Sequence, residues 1–377
     1  MAASRTGADP RAAAERPSDR GPAASGADGF VRPRSPWKAV VRSGVSLAVV
    51  AGIFYGLLRN TDLAEVGDAL AEMTALELFG LVLVTVWNTV TYWLVLESAL
   101  PGLTLPQAAI SSTTSTAVAN TVPGGAAFGV VTTSAMYASW GFPGPAIARA
   151  VVVTGIWNTF VKLGMPVLAL AILAVTDEAG AGLVTAAFCG VVVLALAVGV
   201  FALMLRSDEL ARRVGHLLTV AANRARPVVR RGRVADWGAA AVRFRRDTIG
   251  LLRERWVPLT VFTLISHISL YVVLLVALRD VGVSEQEVSW AEVLGAFTFV
   301  RLLTALPVTP GGVGVVELGL TAALVVGGGD QAQVVAAVLV FRGLTYLAPV
   351  PFGALTYVMW RRQEHRARDR SPAPAPR

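Results

Sequence analysis

Five ionisable side chains stand in stretches otherwise apolar enough for a bilayer: Lys162, His267, Arg301, Glu317 and Arg342. Each costs about 2.5–3.5 kcal/mol at the centre of an inserting helix, so each is a candidate for function or for a buried pair. Arg301 and Arg342 carry planar guanidinium forks that suit a lipid phosphate bidentately, or that could close a structural ion pair. Glu317 allows three readings: a carboxylate at a helix N-terminus with Arg301 or Arg342 as its buried partner, a site for a cationic headgroup, or the carrier of a coupling proton. Lys162, beside Asn158 and ahead of Pro166, could meet an anionic ligand or snorkel toward an interface. His267 suits an interhelical hydrogen bond or a proton relay.

Two helix-breaking stretches lie among these residues. In Leu306-Pro307-Val308-Thr309-Pro310-Gly311-Gly312-Val313-Gly314, two prolines and three glycines fall within eight positions. No helix continues through them, because Pro lacks the N–H and Gly leaves the backbone loose. Asn120-Thr121-Val122-Pro123-Gly124-Gly125 is an earlier version of the same break. Broken backbone at membrane depth persists only where protein or a water-filled cavity satisfies its polar groups. A half-helix starting at either break would aim free N–H groups into the protein centre, where they attract an anion such as phosphate. Lys162, Arg301 and Arg342 are the side chains expected to join them.

The elements that must position these residues follow from hydropathy. With 54% hydrophobic and 15% charged residues over 377 positions, the chain reads as a polytopic α-helical membrane protein. Spans are expected at about 41–58, 76–98, 146–173, 180–205, 257–278 and 332–360, the last kinked by Pro349 and Pro351. At 105–140 and 290–328, apolar stretches of about 15–17 residues flank the breaks; each makes a helix of roughly 22–26 Å, short of the ~30 Å hydrocarbon core. Two re-entrant hairpins of half-helices fit these stretches better than full spans. The expected fold is therefore all-α, with six spanning helices plus two re-entrant broken hairpins, about eight hydrophobic elements in all.

Charge placement orients the chain. The segments carrying Asp62, Glu65, Asp68 and Glu72, then Asp177 and Glu178, then Glu285, Glu287 and Glu292 belong outside. The connection 206–256, with thirteen Arg and five acidic residues, belongs in the cytoplasm. It reads as a solvated loop with helical pieces, or as an amphipathic helix on anionic headgroups. Residues 1–36 and 361–377 read as cytoplasmic tails, the first disordered, around a membrane domain at 37–360. Span, span, broken hairpin, span at 41–173 recurs at 180–360. Three crossings in the first copy invert the second, so the two breaks enter from opposite faces.

Several function classes drop out. The net charge of +8 sits in the tails and one connection, as the positive-inside rule requires, so no nucleic-acid partner is expected. One cysteine, Cys189, and three histidines exclude a disulfide framework and make no case for a metal site. No H-x-x-x-H, paired Cys, G-x-S-x-G or phosphate-binding glycine loop occurs, so no catalytic residues and no cofactor are expected.

The run Pro307-Val308-Thr309-Pro310-Gly311-Gly312-Val313-Gly314-Val315-Val316-Glu317 resembles the P-x-x-P-G-G-x-G-x-x-E signature of the transmembrane flippase domain of lysylphosphatidylglycerol synthases and its stand-alone relatives. The resemblance covers about 40–360. It implies an inner-membrane protein moving a lipid headgroup between leaflets, and it implicates Pro310, Gly311, Gly312, Gly314 and Glu317. Where relatives often carry charge just after the first Pro-Gly element, Ala126 to Thr133 carry none, and no aminoacyl-transferase domain follows residue 360. The reading is thus a non-enzymatic flippase for a phosphate-bearing lipid, either an aminoacyl phospholipid or a polyprenyl-linked sugar. Its binding residues are Asn120, Pro123, Gly124, Gly125, Lys162, Arg301, Pro310, Gly311, Gly312, Gly314, Glu317 and Arg342. A membrane enzyme or accessory scaffold in lipid or cell-envelope glycan synthesis is the alternative. Expected partners are membrane lipids and a separate lipid-modifying enzyme, with room for a homo-oligomer.

Overall fold

The computed structural model describes residues 63–122, 124–175, 181–229, 237–304 and 310–370, and every regular element among them is a helix. The expected first span, the N-terminal tail, Pro123, and residues 371–377 of the C-terminal tail lie outside the described residues. Five helical stretches are long and apolar enough to cross a membrane: Ala75–Ala99, Gly144–Ala174, Ala187–Arg206, Gly238–Asp280 and Gln331–Glu364. They fall on the second to sixth expected spans. Large apolar side chains on their outer faces, such as Leu83, Phe188, Leu196 and Phe352, are exposed, as a surface covered by lipid requires.

A short helix α1 (Leu63–Ala71) leads into α2 (Ala75–Ala99). The first broken element follows as α3 (Leu105–Thr121) and α4 (Gly125–Ser139), α5 (Gly144–Val175) completes the first half, and α6 (Ala181–Arg206) opens the second. After α6 come α7 (Asp208–Val229) and α8 (Gly238–Asp280). The second broken element is α9 (Trp290–Leu303), a tight turn at Pro310–Gly312, and α10 (Val315–Val326). The chain ends in α11 (Gln331–Arg342), a π-helical turn at Gly343–Leu347, and α12 (Pro349–Arg370).

Local signals explain the boundaries. The N-cap Thr104 of α3 bonds reciprocally with Gln107, and the N-cap Ser289 of α9 does so with Glu292. Each broken element thus begins with a capping box, S/T-x-x-E/Q, that satisfies two of the first-turn donors. At 17 and 15 residues, α3 and α4 are about 25 and 22 Å long; at 14 and 12 residues, α9 and α10 are about 21 and 18 Å. All four fall short of a bilayer core. Pro349 opens α12 at its first position, where its missing N–H is no loss. A π turn at Gly343–Leu347 thus directly precedes the proline expected to kink the last span.

One expectation is refined. The connection 206–256 is mostly helix: α7 and the part of α8 up to residue 256 fill most of its described part. The expected fifth span, from 257, is the apolar part of a longer helix, because α8 runs unbroken for 43 residues through Pro258. The one backbone bond Pro258 removes would end at Glu254, an exposed residue on the polar stretch, where water replaces it cheaply. α7 is held to α8 by Asp208, which accepts from Arg245 Nη1 at 2.6 Å and Arg246 Nη2 at 2.8 Å. The Arg246 hydrogen bond, with the charge of both arginines, holds the Asp208 carboxyl below its ordinary value, so the strap is intact at neutral pH.

Packing follows a reciprocal pattern. α2 runs along α8; α3, from the first broken element, lies along α12, while α9, from the second, lies along α5. Thr114 and Thr356 share a 2.8 Å hydroxyl contact across α3 and α12. One core cluster joins α8 to α11 through Leu274, Leu278, Phe297, Leu320 and Val335, and another joins α2, α5 and α8 through Val95, Val153 and Leu259.

Candidate functional site

The site begins at the second break. Gly311 takes φ +58°, and an added Cβ would lie 2.2 Å from the Tyr346 ring and 3.0 Å from the Asn120 Oδ1. Only glycine fits there, on both backbone and space grounds. Gly312 and Gly314 also have positive φ, and together they turn the chain into α10. Pro310 opens this turn.

Glu317, in the first turn of α10, is 2% exposed. One of its oxygens accepts the Gly314 N–H at 2.7 Å, and the other accepts Arg342 Nε at 2.7 Å. Arg342 Nη2 also reaches the Gly311 carbonyl at 3.3 Å, and its guanidinium lies 4.2 Å from the Tyr346 ring centroid. The α10 N-terminus therefore already carries its anion, in the form of the chain's own carboxylate. Of the two partners open to Glu317, the structure selects Arg342 at the end of α11.

The two broken elements meet here. The Tyr346 hydroxyl donates to the Asn120 carbonyl at 2.6 Å, and Asn120 Nδ2 donates to the Tyr346 carbonyl at 3.0 Å. Asn120 lies in the last turn of α3, just before the first break, so this two-way bond ties the first break to the π turn and the Arg342–Glu317 pair. Gly124 has φ +72° and opens α4 without a side-chain cap. At Gly125 a Cβ would lie 2.3 Å from the Ala119 carbonyl, so glycine is what lets α3 and α4 close into a hairpin.

Arg301 is left out of these pairs. Its Nε is buried without a hydrogen-bond partner, and among the described residues it forms no ion pair. Arg342, Lys162 and His267 lie within electrostatic range of it. Lys162 forms no ion pair among the described residues either. His267 is 5% exposed; its Nδ1 lies 3.0 Å from the Thr263 carbonyl and its Nε2 is buried without a partner. Lys162, Arg301 and Arg342 thus lie in series, each within electrostatic range of the next, with His267 in range of Lys162 and Arg301, and only Arg342 engages a carboxylate. Buried donors without partners cost about 1–3 kcal/mol each, and more when charged, so the arrangement is poised for an anion.

Beside this cluster is a cavity of about 250 Å³ between α2, α3, α4 and α5, lined by residues that include Tyr92, Ser112, Thr116, Thr133 and Asn158. Its α3 wall is Ser112, Ser115, Thr116 and Ala119, part of a hydroxyl-rich run that sequence reasoning treated as an apolar half-helix. Hydroxyls survive at that depth by bonding back to their own helix: Ser111 donates to the Ala108 carbonyl at 3.1 Å and Thr113 to the Ala109 carbonyl at 2.8 Å. Tyr346 was also missed, although an aromatic four residues after Arg342 was the visible signal for a stacked cation.

Of the expected binding residues, Asn120, Gly311, Gly314, Glu317 and Arg342 form one bonded junction, with Gly312 and the backbone of Pro310 in the same turn. Lys162 and Arg301 form the neighbouring unpaired cluster. Gly124 and Gly125 open α4 on the first hairpin, and Pro123 lies outside the described residues. A family model described as the lysylphosphatidylglycerol synthase TM region matches residues 44–353. Among curated proteins, none matches the chain.

Proposed function

The chain belongs to the lysylphosphatidylglycerol synthase TM region family, and from that membership we propose that it is a flippase moving a phosphate-bearing lipid between membrane leaflets. The observation that carries this reading is Arg301, whose Nε is buried without a hydrogen-bond partner and which has Lys162 within electrostatic range, next to the junction of two broken helices. A purely structural role would favour a carboxylate beside Arg301, since an unpaired buried charge is costly. A transient phosphate would supply that partner. The substrate headgroup is that of an aminoacyl phospholipid or a polyprenyl-linked sugar.

The halves are proposed to be inverted repeats. The exchange of partners supports this: the first half-helix of each hairpin lies along the last span of the other half, as a pseudo-two-fold axis in the membrane plane requires. Rocking of one half on the other would pivot at the Asn120–Tyr346 link and at the π turn, a kind of local helix defect frequent at functional sites. The protein is read as an inner-membrane protein with both termini cytoplasmic, not an enzyme, and partnered by lipids and a separate lipid-modifying enzyme.

The test is flipping of acyl-labelled phospholipid in proteoliposomes. Arg301→Gln and Lys162→Gln should each lower the rate by about tenfold or more, the loss expected for one charge-assisted bond of ~1.5–3 kcal/mol, while the unfolding temperature is unchanged or raised. Wild-type rates in both variants would remove the cluster from the transport path.

A further inference from the structure

The cavity between α2, α3, α4 and α5 is polar without being charged. Tyr92 from α2, Ser112 and Thr116 from α3, and Thr133 from α4 line it, and none of their hydroxyls makes a hydrogen bond among the described residues. That is unusual in a helix bundle, where a Ser or Thr hydroxyl ordinarily bonds back to its own helix, as Ser111, Thr113 and Thr154 do here. Ser112 and Thr116 are four residues apart and share a face of α3. Four hydroxyls from three helices therefore converge with donors and acceptors to spare, and Asn158 of α5, whose Nδ2 donates to the Thr154 carbonyl at 2.9 Å, adds an amide oxygen.

The cavity also lies one helical turn from the cationic cluster. Asn158 lies in its wall, and Lys162 is one helical turn further on the same face of α5, about 6 Å away. Lys162 is in turn within electrostatic range of Arg301. A ligand lying across the two would place an anion at Lys162 and Arg301 and an uncharged, hydroxyl-rich group among Tyr92, Ser112, Thr116 and Thr133. At about 250 Å³ the cavity is smaller than the ~300–1,000 Å³ of drug-sized sites, so it suits one headgroup rather than a lipid.

We propose that this cavity receives the uncharged, polyhydroxylated headgroup of the transported lipid, a sugar or sugar alcohol, while the adjoining phosphate is held at Lys162 and Arg301. The assignment rests on the flippase reading and selects between its two substrate classes. An aminoacyl headgroup would bring ammonium groups beside Lys162 and Arg301, into a wall with no carboxylate, and the nearby Glu317 is already committed to Arg342. A polyol instead answers each open hydroxyl with one of its own, and a site built this way rejects analogues that lack the group.

The experiment is native mass spectrometry of the full chain in detergent, titrated with phosphatidylinositol, polyprenyl phosphomannose, phosphatidic acid and lysylphosphatidylglycerol. The first two carry the same headgroup chemistry on different tails, so their ratio identifies the lipid source. The wild type should retain at least one of them about tenfold better than either phosphatidic acid or lysylphosphatidylglycerol, the difference one to two hydrogen bonds make. Ser112→Ala combined with Thr116→Val should erase that preference while leaving phosphatidic acid binding unchanged. Thr133→Val, on the other wall, gives an independent second loss if the first variant folds poorly. Arg301→Gln should weaken all three anionic lipids alike and preserve the preference. Equal or better retention of lysylphosphatidylglycerol, or an undiminished preference in both hydroxyl variants, overturns the assignment. Preserved preference without lipid movement in proteoliposomes would instead sink the flippase reading and leave the headgroup site standing.

Discussion

Both oxygens of Glu317 are engaged, one by Gly314 and one by Arg342, whereas the Nε of Arg301 is buried without a partner. These two arginines should therefore respond oppositely to removal of charge. Arg342→Leu strands the Glu317 carboxylate, and Glu317→Leu strands the guanidinium; each should destabilise by about 3–5 kcal/mol. The double variant Glu317→Leu/Arg342→Leu removes both charges and should recover most of that loss. Arg301→Leu, which removes an unpaired charge, should cost little or raise stability. Thermal unfolding of the four variants in one detergent decides it. A loss at Arg301→Leu as large as that at Arg342→Leu would mean that Arg301 holds a structural partner.

At the scale of elements, the contact between the two breaks depends on one missing methyl group. Gly311 combines φ +58° with a Cβ position 2.2 Å from the Tyr346 ring, while Gly124 has φ +72° but meets only Phe128 at 4.0 Å. Gly124→Ala should thus cost only the backbone strain, about 1–2 kcal/mol. Gly311→Ala adds a clash that must push Tyr346 off Arg342 and break its bond to Asn120. We predict a loss of stability at Gly311→Ala clearly beyond that at Gly124→Ala, and partial recovery when Tyr346→Ala is added. Equal unfolding temperatures for the two single variants would show that Tyr346 moves aside freely, and that the junction is not a fixed contact.

At the scale of the molecule, the last span gives the topology its sharpest check. α11, the π turn and α12 carry the chain from Asp330 to Gln363 through a stretch long and apolar enough to cross a membrane. In a Cys189→Ala background, single cysteines at Asp330 and Gln363 should react from opposite sides with an impermeant maleimide, Asp330 in intact cells and Gln363 only after lysis. Labelling of both in intact cells would mean that the span turns back, and the pseudo-two-fold arrangement would fall with it.

The sequence by itself determined the membrane class, five of the spans, the two breaks and most of the residues at the junction. The reason is that lipid demands about 20 consecutive apolar residues per crossing, and that Pro and Gly stop a helix in any tertiary context. It could not choose between Arg301 and Arg342 as the partner of Glu317. Sixteen residues of separation across a hairpin make Arg301 look near, but the approach of α11 to α10 brings Arg342 instead. Nor could it see that α8 continues past Trp256, since a change from polar to apolar side chains moves the helix from water into lipid without unwinding it. The hydroxyl-lined cavity was least visible of all. Tyr92, Ser112, Thr116 and Thr133 are scattered over three helices, each looking like an ordinary polar residue, and only helix packing brings their unused hydroxyls to one space.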